Sequence, residues 1–206
     1  MSVDILPIDD PQAVSRALEM LARGEIVAFP TDTVYGLGAS AFSRAGIERL
    51  YEAKIRDPKK AIAVLLGDLD QAPLVSAGFS EAALRLAERF WPGALTLVVT
   101  RHPGLPAEIS PLPTVGLRIP DHDPVRGLIR RSGPLATTSA NLSGGENPLT
   151  AQDVFAQLGE QVSLILDGGR TPGGVPSTVV DCTASPPRVV REGPISPAAI
   201  RGVAGG

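Results

Sequence analysis

Cysteine, histidine and aromatic residues are scarce in this sequence, and each scarcity removes a class of protein. A single cysteine among 206 residues, Cys182, excludes an internal disulfide and fits a reducing compartment. It closes the strand-like run Val179-Val180-Asp181-Cys182, where a buried, inert thiol is expected. The two histidines, His102 and His122, lie far apart, so no zinc-ligand set is expected and no metal site is assigned. Aromatic residues make up only 4% of the chain, leaving Val, Leu, Ile and Ala to build the core, which suits sheets covered by helices. No apolar run approaches the roughly 20 residues of a bilayer span. The acidic start MSVDILPIDD opens no apolar run of signal-peptide length. The expectation is a cytoplasmic protein without membrane contact. A net charge of −3 argues against nucleic-acid binding through the overall field, so any basic surface must be local.

Helical and strand patterns alternate along the chain. Pro11 suits the first turn of a helix capped by Asp9 or Asp10, with Val14, Leu18 and Leu21 on one face and Gly24 at its end. Ser43 caps a second helix carrying Ile47, Leu50 and Tyr51. Ser80 caps a third, with Ala83, Leu84 and Ala87 expected inward. Shorter helices are predicted over 123–131 and 151–158. Strands are predicted over 26–29, 61–66, 95–99, 115–119, 164–166 and 178–182, with another around 189–190. Residues 101–114, with four prolines, read as a surface loop, and the tail after Ile200 as frayed. The pattern predicts one α/β domain of the α+β type over residues 1–206, with a mixed parallel and antiparallel sheet flanked by helices.

Three segments carry chemistry. Pro30-Thr31-Asp32-Thr33-Val34-Tyr35-Gly36-Leu37-Gly38 follows an apolar strand and combines hydroxyls, a carboxylate and glycines. It suits a small polar ligand, and equally a tight turn that satisfies its own backbone. Lys54-Ile55-Arg56-Asp57-Pro58-Lys59-Lys60 places four cations at a helix end, where they can grip phosphate or simply complement the helix dipole. Pro134-Leu135-Ala136-Thr137-Thr138-Ser139-Ala140-Asn141-Leu142-Ser143-Gly144 is a hydroxyl-rich stretch able to cradle an anion or to form a plain turn; it is not a P-loop. Arg118 stands alone in the apolar run Val115-Gly116-Leu117-Arg118-Ile119, where a cation is costly unless it meets an anion. That anion can be a structural carboxylate or that of a ligand. Ser177-Thr178 opens a strand after Gly173-Gly174, and Arg191 precedes Gly193-Pro194.

Taken in order, PTDTVYGLGA, YEAKIR, WPGALTLV, VGLRIPDH, ATTSANLSG, PSTVVD and VVREG resemble the YrdC-like family of L-threonylcarbamoyladenylate synthases across nearly the whole chain. The chain resembles the short form, which lacks the additional C-terminal domain of longer relatives. The resemblance implies a twisted mixed sheet around a concave basic cavity. It implies a reaction in which L-threonine, bicarbonate and ATP give threonylcarbamoyl-adenylate and pyrophosphate, for transfer by separate tRNA-modifying machinery. It also implies roles. Lys54, Arg56, Ser139 and Asn141 would be catalytic and hold ATP, joined by Lys60, Thr114, Asn147 and Arg191. Thr33, Arg118, Thr137 and Ser177 would hold L-threonine, and Mg2+ would arrive through the ATP phosphates. Leu65 departs from the pattern, standing where many relatives carry His, and puts threonine selectivity in question. The alternative from another class is a module that grips duplex RNA or tRNA without catalysis, consistent with weak RNA binding by a local basic patch.

Overall fold

The computed structural model describes residues 3–205. Among these residues ten strands form one sheet: β1 Asp4–Pro7, β2 Val27–Phe29, β3 Gly36–Ser40, β4 Ala63–Leu65, β5 Leu95–Thr100, β6 Thr114–Arg118, β7 Leu135–Ser139, β8 Leu164–Asp167, β9 Thr178–Asp181 and β10 Arg188–Arg191. Their spatial order is β1-β8-β2-β3-β7-β4-β6-β5-β9-β10. The sheet is mixed: β8 runs parallel to β1 and β2, while β7 runs antiparallel to both β3 and β4. The helices are α1 Pro11–Ala22, α2 Arg44–Lys54, α3 Glu81–Phe90, α4 Asp123–Ser132, α5 Ala151–Leu158 and α6 Pro197–Ala204. None is long and apolar enough to cross a membrane.

Local chemistry starts the helices where the sequence says. Asp10 accepts from Gln12 N, Ser43 from Gly46 N and Ser80 from Ala83 N, each cap contributing about 1 kcal/mol. Thr150 and Asp153 close a reciprocal capping box on α5. In α3 the inward face differs from expectation: Leu84 is 41% exposed, and Leu86 is buried instead. Positions 83, 86 and 87 follow the helical repeat, and 84 is turned about 100° away from 83. The predicted frayed tail is α6. Its Ile200 is buried, and Arg85 donates to the carbonyls of Val203 and Ala204 at its end. Residues 101–114 are likewise not a plain surface loop: Leu105 and Ile109 are buried, and Ala107–Ile109 makes a 3₁₀ turn.

The two sheet faces are covered unequally. On one, α2, α3, α5 and α6 pack Ile47, Leu50, Leu86, Val154 and Ile200 into a core with Ala28, Leu37, Val64, Leu97 and Leu117. On the other, α1 and α4 pack Leu21, Val125, Leu128 and Ile129 onto Val27, Phe29, Leu65, Leu135 and Leu166. That cover stops at Leu65, and the rest of this face becomes the floor of a cavity.

Candidate functional site

Side chains alternate across a strand, so Ala63 and Leu65 of β4, Gly116 and Arg118 of β6, Thr96 and Val98 of β5, Thr137 of β7 and Val179 of β9 share the uncovered face. They line a cavity of about 300 Å³ whose walls come from the Thr31–Gly36 turn, Arg56, Ser139, Ser177 and Arg191. Register arranges the floor in rows: Leu65 pairs with Arg118, and Val98 pairs with Gly116. The middle row, Ala63, Gly116 and Val98, is small or apolar, with Arg118 at one end of the floor.

The Thr31–Val34 turn is tied by its own hydroxyls, as the plainer reading of the sequence anticipated. Thr31 Oγ1 donates to Val34 O at 2.7 Å and accepts from Thr33 N and Val34 N. Arg118, buried in β6, finds a structural anion here. Its guanidinium donates to Asp32 Oδ1 at 2.5 Å, Thr33 Oγ1 at 2.9 Å and Gly93 O at 2.9 Å. Asp32 therefore supplies the partner that the lone strand cation required, and the Arg118 fork still lines the cavity. Burial lowers the Arg118 pKa and the Asp32 charge opposes that shift.

The other cations are arranged differently. Ile55 has φ 50°, a left-handed position unusual for a β-branched residue, and it turns successive side chains in different directions. Lys54, expected to hold phosphate, is buried behind the cavity wall. Its ammonium donates to Ser139 O, Asn141 O and Asn141 Oδ1, so its three protons are spent within the fold. Burial, then Arg56, pulls its pKa down to about 8. Arg56 does reach the cavity, steadied by Lys60 O and Ala61 O. Arg191 enters from the opposite side, donating to Ser177 O and, at 3.2 Å, to Ser177 Oγ. Among the described residues neither Arg56 nor Arg191 forms an ion pair. Burial lowers both pKa values, and Arg191 is lowered further by Arg56.

Of the expected site residues, Thr33, Arg56, Arg118, Thr137, Ser139, Ser177 and Arg191 line the cavity. Lys54 and Asn141 stand behind it. Asn141 accepts from Ser139 Oγ at 2.5 Å and donates to Gly145 O at 2.9 Å, which makes it a brace for the loop. Lys60 and Asn147 are exposed and Thr114 begins β6 beyond the lining. Leu65 lies in the floor, as does Thr96, which sequence reasoning missed although it is a hydroxyl on the alternating face of a mostly apolar strand. The lining offers cations and hydroxyls and no carboxylate, and among the described residues no cluster of three His, Cys, Asp or Glu is suited to a metal. The chain's own side chains therefore do not fit a divalent cation. Cys182 is buried, and burial raises its thiol to about 12.

Known proteins are similar to this chain in sequence and fold. The Sua5_yciO_yrdC family profile, described as "Telomere recombination", matches residues 19–193. A threonylcarbamoyl-AMP synthase of Bacillus subtilis is 42% identical over 208 residues, covering 98% of this chain and 59% of that protein. A putative threonylcarbamoyl-AMP synthase of Mycobacterium tuberculosis is 39% identical and covers 95% of this chain and 93% of its own length. The crystal structure of Pyrococcus abyssi Sua5 complexed with L-threonine superimposes with a TM-score of 0.94 at 36% identity, covering 98% of this chain and 61% of that one. The chain thus spans about three-fifths of some relatives and nearly the whole of another.

Proposed function

The chain belongs to the Sua5_yciO_yrdC family, and from that premise we propose that it makes threonylcarbamoyl-AMP and pyrophosphate from L-threonine, bicarbonate and ATP. One observation carries the reading. Arg56 and Arg191 line one recess, and among the described residues neither forms an ion pair there, while Arg56 lowers the pKa of Arg191. Two guanidiniums presented this way offer forked donors and positive charge to an anion of high charge, and a polyphosphate is such an anion. Arg118, at one end of the floor, keeps one proton on each of Nη1 and Nη2 beyond those given to Thr33 and Asp32, and these can meet an amino acid's carboxylate.

In this scheme the amine of threonine and bicarbonate lose water to give a carbamate. A carbamate oxygen then forms a bond to the α-phosphorus of ATP, and the bond to the bridging oxygen breaks to release pyrophosphate. Side chains need to move few protons at this second step. Arg56 and Arg191 neutralise the phosphates, Ser139 lines the same wall, and Thr33, Arg118, Thr137 and Ser177 fix the amino acid. The product is a mixed anhydride that supplies the threonylcarbamoyl group to tRNA-modifying machinery in the cytoplasm. Magnesium, when present, travels on the nucleotide's phosphates. Lys54 and Asn141 serve indirectly by shaping the loop that carries Ser139. Lys60, Asn147 and Thr114 can reach only the parts of ATP that extend beyond the recess. A duplex-RNA module would not need Arg56 and Arg191 to line one recess, as they do here.

The test is an assay for incorporation of labelled bicarbonate into an adenylate by the purified chain. Label should appear only when ATP and L-threonine are both supplied. Incorporation without threonine, or none under any condition, refutes the proposal.

A further inference from the structure

We infer that Thr96 and Ser177 act as one buried hydroxyl pair that turns a single hydrogen-bond donor into the cavity, aimed at an anionic oxygen of the amino-acid substrate. This rests on the proposed function, in which Ser177 faces that substrate.

The inference follows from counting protons. Thr96 Oγ1 and Ser177 Oγ lie 2.8 Å apart, and both residues are buried, at 6% and 4% exposure. Ser177 Oγ already accepts from Arg191 Nη2 at 3.2 Å. Two hydroxyl protons remain to be placed, and only one can lie between the two oxygens. Whichever hydroxyl gives that proton, the other keeps one, and among the described residues neither oxygen has a further protein acceptor. A buried donor left without an acceptor is strongly disfavoured. The remaining proton therefore turns to the cavity that both residues line. There a ligand oxygen can take it.

The turn on the opposite wall has the reverse polarity. Thr31 Oγ1 gives its proton to Val34 O, so in the 3.0 Å contact between Thr31 and Thr33 it is Thr33 that donates. Thr33 Oγ1 also accepts from Arg118 Nη1 and has a lone pair left to offer. Thr33 therefore presents an acceptor and the Thr96–Ser177 pair a donor, with the Arg118 fork in the same recess. Substrates with an N–H at one end and an anionic oxygen at the other fit this pattern in one orientation.

The test measures L-threonine and ATP affinity by calorimetry for the wild type, Thr96→Val, Thr96→Ser, Ser177→Ala and the Thr96→Val/Ser177→Ala double variant. Thr96→Val, which keeps the shape and removes the proton, should weaken L-threonine about five- to tenfold, the equivalent of one neutral hydrogen bond, with ATP affinity held. Thr96→Ser should restore the affinity, and Thr96→Val should have no further effect once Ser177 is alanine. Equal losses in Thr96→Val and Thr96→Ser, or additive losses in the double variant, overturn the inference. Unchanged L-threonine affinity in Thr96→Val, with the wild type binding normally, overturns it while leaving the proposed function standing. Absence of L-threonine binding by the wild type overturns both.

Discussion

The ammonium of Lys54 donates to the side-chain oxygen of Asn141, 87 residues further along the chain, at 3.2 Å. That contact and those to the Ser139 and Asn141 carbonyls lock the end of α2 to the loop after β7, so the wall that presents Arg56 and the wall that presents Ser139 are one unit. Lys54 and Arg56, two residues apart, hence do different work.

Their replacement should separate the two roles. Lys54→Met strands buried carbonyl oxygens, each costing about 1–3 kcal/mol when left without a donor, so both melting temperature and activity should fall. Arg56→Ala should abolish most pyrophosphate release with the melting temperature nearly unchanged. Thermal denaturation of the two variants side by side checks this, and equal melting temperatures would mean that Lys54 is not a structural tie.

Of the two substrates, Arg118 should report on the amino acid. Arg118→Lys keeps a charge but loses the planar fork that meets Asp32 and Thr33. L-threonine affinity should drop by roughly tenfold or more, the scale of one charge-assisted hydrogen bond, while ATP affinity changes little. Calorimetric titration of each substrate separately measures both.

The floor of the cavity tests the site's dimensions. A Cβ on Gly116 would sit 3.0 Å from Thr96 Cγ2, and the larger valine side chain would fill the space above the middle row. Gly116→Val should therefore weaken both substrates at once, with a native circular dichroism spectrum. Loss of one substrate only would mean that the two subsites do not share this floor.

Acid sensitivity has a defined source away from the site. Asp68 accepts from Arg126 and Arg130 of α4, and its carboxyl is held down to about 2, first by the hydrogen bond from Arg130. Because the folded-state value lies below the unfolded one, this contribution is present above about pH 4 and lost as the pH falls through about 2. Asp68→Asn should remove that part of the acid slope. Urea denaturation at pH 7, 4 and 2.5 measures it.

Much of this architecture can be read from the residues themselves. Capping aspartate and serines with helical spacing locate α1, α2 and α3, and apolar runs locate β5, β6, β8 and β9. What escaped the reading has physical causes. Strand β3, Gly36–Ser40, looks like a turn because it contains glycines. Yet a Cβ at Gly38 would lie 2.7 Å from the Phe29 ring, so glycine is what allows this central strand to pack. The hydroxyl-rich stretch from Leu135 to Ser139 is strand β7, and its Thr137 reaches the cavity by alternation. Lys54 looked like an exposed helix-end cation because nothing local shows that Ile55 is left-handed and that acceptors arrive from the loop after β7. Asp32 and Thr96 were missed as a pair with Arg118 and Ser177 because their partners come from strands distant in the chain.

Titration of ATP into the wild type and Arg56→Ala, each followed by L-threonine, probes the unpaired guanidinium pair most directly. Arg56→Ala should bind ATP at least tenfold more weakly, the value of one charge-assisted contact, while L-threonine affinity stays within about twofold of wild type. Undiminished ATP affinity in Arg56→Ala would contradict the assignment of this cavity to a polyphosphate.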